Sequence, residues 1–189
     1  MLLTIVDYGV GNLRSIAKSI EKANSDNNLN YSVKVSSDIN DVKKSDKIVL
    51  PGQGSFKACK NGIDNIKGLQ EELNESVLIK KKPIYGICAG MQLFATIGHE
   101  EKKTTGLNWI AGEVIKLDSG SLKLKIPHMG WNELKVENVS SVFQDVINED
   151  HAYFIHSYEF VPENKKVISI TTNYGKDVIA AVSLGNIFG

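Results

Sequence analysis

The chain has 189 residues, 42% of them hydrophobic and 23% charged, with 22 basic side chains matching 22 acidic ones. That length suits a single domain with a sizeable core, and the even charge gives no footing for nucleic acid or an anionic membrane as a partner. Two cysteines, Cys59 and Cys88, make no disulfide framework, and no C-x-x-C pair offers a metal site. A reducing cytoplasm is the expected compartment. The opening MLLTIVDYG reaches Asp7 too soon for a signal-peptide core and lacks a basic leader. The most apolar later stretch, Pro83 to Ile97, is broken by glycines and Gln92 and is too short to span a bilayer.

In chain order, Leu2 to Val6 reads as a buried strand, followed by a glycine-rich turn, DYGVGN. Leu13, Ile16, Ala17 and Ile20 then fall on one helix face. The polar cluster Asn24 to Asn30 predicts a turn. Tyr31 to Val35 and Lys47 to Leu50 are the next strands, and Pro51-Gly-Gln-Gly54 breaks the chain. A helical region ends near Lys80–Lys82, a solvated helix end, and Pro83 introduces the strand Ile84 to Ile87. Strands alternating with helices at this spacing predict a parallel sheet with helices on its faces. The second half predicts short strands at Gly112–Leu117, Leu122–Ile126, Glu133–Val136, Ala152–His156, Lys166–Thr171 and Val178–Ser183, several of them antiparallel and extending the sheet. The expected fold is therefore α/β, a mainly parallel sheet with flanking helices and added antiparallel strands, in one domain spanning residues 1–189.

Chemistry concentrates at Gly86-Ile-Cys-Ala-Gly90. A G-x-C-x-G at a strand-to-helix junction is the context of a nucleophile elbow. The side chain is thrust from strained backbone, so its neighbours must be small. The helix opening at Cys88 points free N–H groups at the sulfur, which is expected to lower the thiol pKa. The same N–H groups can donate to an oxyanion. Pro51-Gly-Gln-Gly54 follows another parallel strand and is expected at the same carboxyl edge of the sheet. No Lys-Ser/Thr pair follows at P-loop spacing, so an oxyanion-hole loop is preferred over a phosphate loop. Cys59, in the polar setting FKACKNG, is expected to be an incidental free thiol.

PGQGSF, GICAGMQLF, IPHMGWNEL and FIHSYEF, behind an N-terminal DYGVGNLRS, resemble the class I glutamine amidotransferases. Among them the pattern is most similar to the amidotransferase subunits of imidazole glycerol phosphate synthase. The resemblance runs from Leu3 to the last residue, and DYGVGN and PHMGWN are its specific parts. It implies a flavodoxin-like fold and a glutaminase in which Cys88 forms the glutamyl thioester. It further implies oxyanion donors at the Gln53 and Ala89 amides, with Gly52 and Gly54 giving the loop its freedom. Gln92, Ser157 and Tyr158 fall where the family holds glutamine, and Asn12 and Trp131 lie in segments resembling the docking face. The implied partner is a (β/α)8-barrel cyclase subunit that receives the ammonia. No metal or organic cofactor is implied. Gln53 is a departure, since the family usually carries a small aliphatic residue there.

The family's F-H-P-E-type segment, source of the triad histidine and glutamate, has no match here. The hairpin-type ending Val178–Ser183, Gly185-Asn186 and Ile187–Gly189 leaves a return strand expected to be too short to hold register. A truncated chain with poor or no glutamine hydrolysis is therefore expected. His99 is expected on the surface, His128 in a structural or interface role, His151 in a cap or turn, and His156 as a neighbour of the substrate site rather than a base. Three other functions compete: an amidotransferase subunit of another pathway such as surface-sugar amidation, a non-catalytic docking subunit, and a cysteine hydrolase acting alone.

Overall fold

The β-branched run Leu2–Val6 forms β1, and its parallel neighbours are β2 (Ser32–Ser36), β3 (Lys47–Gly52) and β4 (Ile84–Cys88), in the order β2-β1-β3-β4. The computed structural model describes residues 1–189, the side chain of Ser121 excepted. Ile48 to Pro51 of β3 are all buried, as a central parallel strand covered on both faces requires. Helices α1 (Leu13–Asp26), α2 (Ile39–Lys44), α3 (Phe56–Asn65) and α4 (Leu69–Asn74) carry the crossovers, and α4 runs on into a π-helical turn, Glu75–Ile79. Asn12 caps α1 by accepting the Ser15 N–H at 3.3 Å, and Ser55 caps α3 through Ala58. Each cap satisfies an N–H that has no partner within its helix.

After β4 comes the short helix α5 (Ala89–Gln92), then β5 (Ile97–Gly98), β6 (Thr104–Thr105), β7 (Gly112–Lys116), β8 (His128–Val136), β9 (His151–His156), β10 (Tyr158–Pro162), β11 (Ile168–Asn173), β12 (Asp177–Leu184) and β13 (Ile187–Phe188). The main sheet has nine strands, β2-β1-β3-β4-β13-β12-β11-β8-β9, and a second sheet has four, β10-β7-β5-β6. The expected α/β sheet with added antiparallel strands is present. Not all the later strands extend it, because β7 leaves to pair with β10 and β5 instead.

Three expectations are corrected. Leu122–Ile126 is not a strand: Gly120–Leu122 is a turn of 3-10 helix, Leu122 and Leu124 are exposed, and the segment belongs to neither sheet. The strand expected from Glu133 begins earlier, at His128, so it contains most of the PHMGWN segment. The return strand does hold register. Ile187 and Phe188 pair antiparallel with β12 and parallel with Ile84 and Tyr85 of β4. Gly189 exchanges two backbone hydrogen bonds with Val182, at 2.9 and 3.1 Å. Pairing on both edges supplies what the length of β13 cannot. The core joins both halves: Ile48, Leu50 and Ile84 pack with Phe94, Val114, Phe160, Val182 and Ile187.

Candidate active site

β3 and β4 end side by side, with Gly52 in register opposite Cys88. Their carboxyl ends bring the Pro51–Gly54 loop against the cysteine turn, in agreement with the sequence reading. The approach leaves no room for side chains. A Cβ on Gly52 would run into the Gly90 amide nitrogen and lie 2.6 Å from the Ala89 carbonyl carbon. One on Gly90 would strike the Leu50 carbonyl, with its carbon at 2.9 Å, and one on Gly86 would lie 2.7 Å from the Met91 nitrogen. Cys88 itself has φ +54 and ψ −117, a region almost reserved for glycine. A non-glycine residue held there between obligatory glycines carries strain on the order of 1–3 kcal/mol.

The strained turn delivers the thiol into a cleft of about 720 Å³. With Cys88, the cleft is lined by Met91, Gln92, His156 and Tyr158, and by Tyr85, Phe143, Val146 and Ile170. Cys88 is exposed to this space, yet the protein crowded around it pushes its thiol pKa up, and the Ala89 N–H hydrogen bond pulls the other way without prevailing. The expected lowering is thus corrected. A helix of four residues has little dipole to set against burial. The Ala89 amide nevertheless reaches the sulfur.

The Pro51–Gly54 loop is anchored from below. Tyr8, buried in the DYGVGN turn, donates its hydroxyl to the Pro51 carbonyl, and Gly11 of that turn lies close under Pro51, where a Cβ would be 3.2 Å from the proline Cβ. The Cys59 thiol meets the Gln53 carbonyl at 3.5 Å. Cys59 is a free thiol, as expected, but it is a buried one that touches the loop. It is fully buried on the inner face of α3, and its polar sequence neighbours lie on the other faces. Burial raises the pKa of Cys59 and of Tyr8. Sequence reading missed both as loop supports; the only signal was the proximity of each to a glycine turn.

Gln92 reaches across the cleft and donates Nε2–H to the Tyr158 carbonyl at 3.0 Å. His156 Nδ1 lies 3.0 Å from that same carbonyl, and its Nε2 lies 2.9 Å from His128 Nδ1. Ser157 sits between these two lining residues, its carbonyl accepting the Leu117 N–H at 2.9 Å. Gln92 and Tyr158 are thus brought to Cys88 together. Asn12 and Trp131 are not in the cleft lining: Asn12 caps α1 at the surface, and Trp131 is 70% exposed on β8, edge-on to Tyr153. His99 pairs with Glu113, and His151 opens β9 beside Glu133. Among the described residues no group of three His, Cys, Asp or Glu side chains is placed to hold a metal. Among the described residues no helix is long and apolar enough to cross a membrane.

Residues 4–189 match the family described as glutamine amidotransferase class-I. The chain belongs to that family. It is 47% identical over 189 residues to the imidazole glycerol phosphate synthase subunit HisH of Pelagibacter ubique (strain HTCC1062), covering all of this chain and 89% of that relative. The HisH subunit of Brucella melitensis biotype 1 is 41% identical over 192 residues, with the same coverage. Among solved structures, one described as a glutamine amidotransferase superposes with a TM-score of 0.71 at 14% identity, over 98% of this chain and 86% of that one. Another, a glutamine amidotransferase from Thermotoga maritima, gives 0.68 at 14% identity, over 100% of this chain and 74% of that one. At that identity these two likenesses speak for the fold, and the HisH relatives speak for the closer kinship.

Proposed function

We propose that this chain is the glutaminase subunit of imidazole glycerol phosphate synthase, supplying ammonia to a (β/α)8-barrel cyclase in the cytoplasm. The observation that carries the reading is Cys88, held at φ +54 and facing a cleft shared with Gln92 and Tyr158, in a chain close to the HisH subunits along its whole length. We assign the nucleophile's role to this strained cysteine between glycines. The Cys88 thiolate attacks the glutamine carboxamide carbon, and the Ala89 and Gln53 amides receive the oxyanion, with Gly52 and Gly54 letting the loop turn toward it. The thiol's proton passes to the leaving nitrogen, the C–N bond breaks to release ammonia, and water then converts the thioester to glutamate and frees the Cys88 thiol. Gln92, Ser157 and Tyr158 hold the substrate's polar end.

Outward-facing Met129 and Trp131 on β8 stand opposite Ile155 and Tyr153 on β9, all four more than half exposed. A contiguous apolar surface of this kind is a docking face, and we assign it, with the Asn12 turn, to the cyclase.

Burial keeps the resting thiol protonated, so attack needs a base. His156 lines the cleft, but each of its ring nitrogens already faces a partner. We therefore propose that these 189 residues alone form the thioester slowly and turn over poorly. The test is glutamate release from glutamine with a cyclase partner and the cyclase's nucleotide ligand present, alongside iodoacetamide labelling of Cys88. Labelling with slow release is expected. Fast release from this chain would overturn the proposed lack of a base. No release even when a base-bearing relative is active under the same conditions would favour a docking subunit.

A further inference from the structure

His128, His156, Asn132 and two backbone carbonyls form one chain of hydrogen bonds, and its ends fix where every proton must lie. At one end the Tyr158 carbonyl can only accept, so His156 Nδ1, 3.0 Å away, carries a proton. At the other end the Asn173 carbonyl can only accept, so the Asn132 nitrogen faces it at 3.0 Å and the Asn132 oxygen faces His128 Nε2 at 2.9 Å. His128 Nε2 must then carry a proton as well. Between the rings, His128 Nδ1 and His156 Nε2 lie 2.9 Å apart and share one more. The four ring nitrogens thus hold three protons, whereas two neutral imidazoles hold two.

We propose that His128 and His156 are a singly protonated, positively charged dyad that positions the Tyr158 carbonyl, and through it Gln92, in the Cys88 cleft. His128 is fully buried and lies between two aromatic faces: Tyr174 at 4.0 Å and 21°, and Phe154 at 4.8 Å and 12°. Stacked faces on both sides stabilise a cation away from water. The charged and titratable groups around the pair are few. Glu159 of β10 acts on His156 but is itself buried and paired with Lys176, from the turn that also carries Tyr174. The Tyr174 hydroxyl is turned away, donating to the Lys125 carbonyl. The Cys88 thiol shares the cleft. His151, Glu133 and Lys135 lie on the outward face of β8 and β9, where Lys135 meets Glu137 and Asp177. Burial lowers the His156 pKa, with His128 adding to it and the Tyr158 carbonyl and Glu159 opposing it; the charge of the pair rests on the hydrogen-bond chain and not on that shift.

The dyad joins two surfaces. Its imidazoles hang from the inward face of strands whose outward face carries Met129, Trp131, Tyr153 and Ile155. Movement of this two-stranded unit therefore reaches the Tyr158 carbonyl. When the extra proton leaves, one link of the chain sets lone pair against lone pair, and the carbonyl shared with Gln92 loses its fixed place.

The experiment is imidazole ¹⁵N NMR on the full chain with labelled histidine, from pH 6 to 9. At pH 7.5, where a free imidazole with pKa about 6.5 is roughly nine-tenths neutral, one member of the dyad should still show two protonated nitrogens. The other should show one protonated and one bare nitrogen, and Asn132→Asp should raise the midpoint of proton loss by at least one pH unit. The Gln92 side-chain amide should shift with that same midpoint. Two neutral rings in the wild-type chain at pH 7.5 would overturn the dyad, and a dyad that titrates without moving Gln92 would overturn its positioning role. The link to catalysis rests on the glutaminase reading, but neither readout needs turnover, so the two can fail separately.

Discussion

Replacing Cys88 by glycine should stabilise the protein while abolishing its chemistry. Cys88 occupies φ +54, ψ −117, and relief of such a conformation returns about 1–3 kcal/mol. Glycine loses more backbone entropy on folding, which takes back about 0.5–1 kcal/mol. The side chain contributes little packing, because it opens into the cleft. The net gain is on the order of 1 kcal/mol, or about 2–4 °C in Tm for a chain of this size. The comparison that isolates the backbone is Cys88→Gly against Cys88→Ala: both remove the sulfur and only glycine removes the strain. Urea midpoints and calorimetric Tm should place the glycine variant above the alanine variant. If the two are equal, or alanine is the more stable, the turn is not strained, and the argument for a strained nucleophile elbow fails with it.

Gly90→Ala should act in the opposite sense, since its methyl would enter the Leu50 carbonyl; a loss of at least ~2 kcal/mol in urea unfolding is expected from overpacking. Stability should also fall in alkali. Cys88, Cys59 and Tyr8 all have folded pKa values raised, chiefly by burial, so each favours its protonated form in the native state. Their contribution is complete below the unfolded values, about 8.5 for cysteine and 10 for tyrosine, and is lost as pH rises toward the folded ones. Urea midpoints measured from pH 7 to 10.5 should decline from about pH 8.5 onward, and less so in Cys59→Ala once its lower starting stability is subtracted. Trp131→Ala should leave Tm nearly unchanged, because the ring is 70% exposed, while weakening cyclase binding at least tenfold (about 1.4 kcal/mol) by titration calorimetry.

The parallel half of the fold and the strained cysteine turn were legible in the amino-acid sequence. β1, β3 and β4 are short apolar runs punctuated by glycine and proline, and their signals lie within the strand and the turn that follows. Gly86, Cys88 and Gly90 are read the same way, because a strained turn states its needs in adjacent residues. Only the tertiary structure decided what depends on partners distant in the chain. Leu122–Ile126 has strand-like residues but pairs with no strand, whereas the two residues of β13 hold because β12 and β4 receive them on both sides. β10 went unread since its partner, β7, belongs to a second sheet. Cys59 looked polar in sequence and is buried in space. The Cys88 thiol was expected to be acidic from the helix beside it, and the surrounding protein mass decided otherwise. Local strain and local pattern are written along the chain. Burial, pairing and proton placement are sums over neighbours that only the folded molecule brings together.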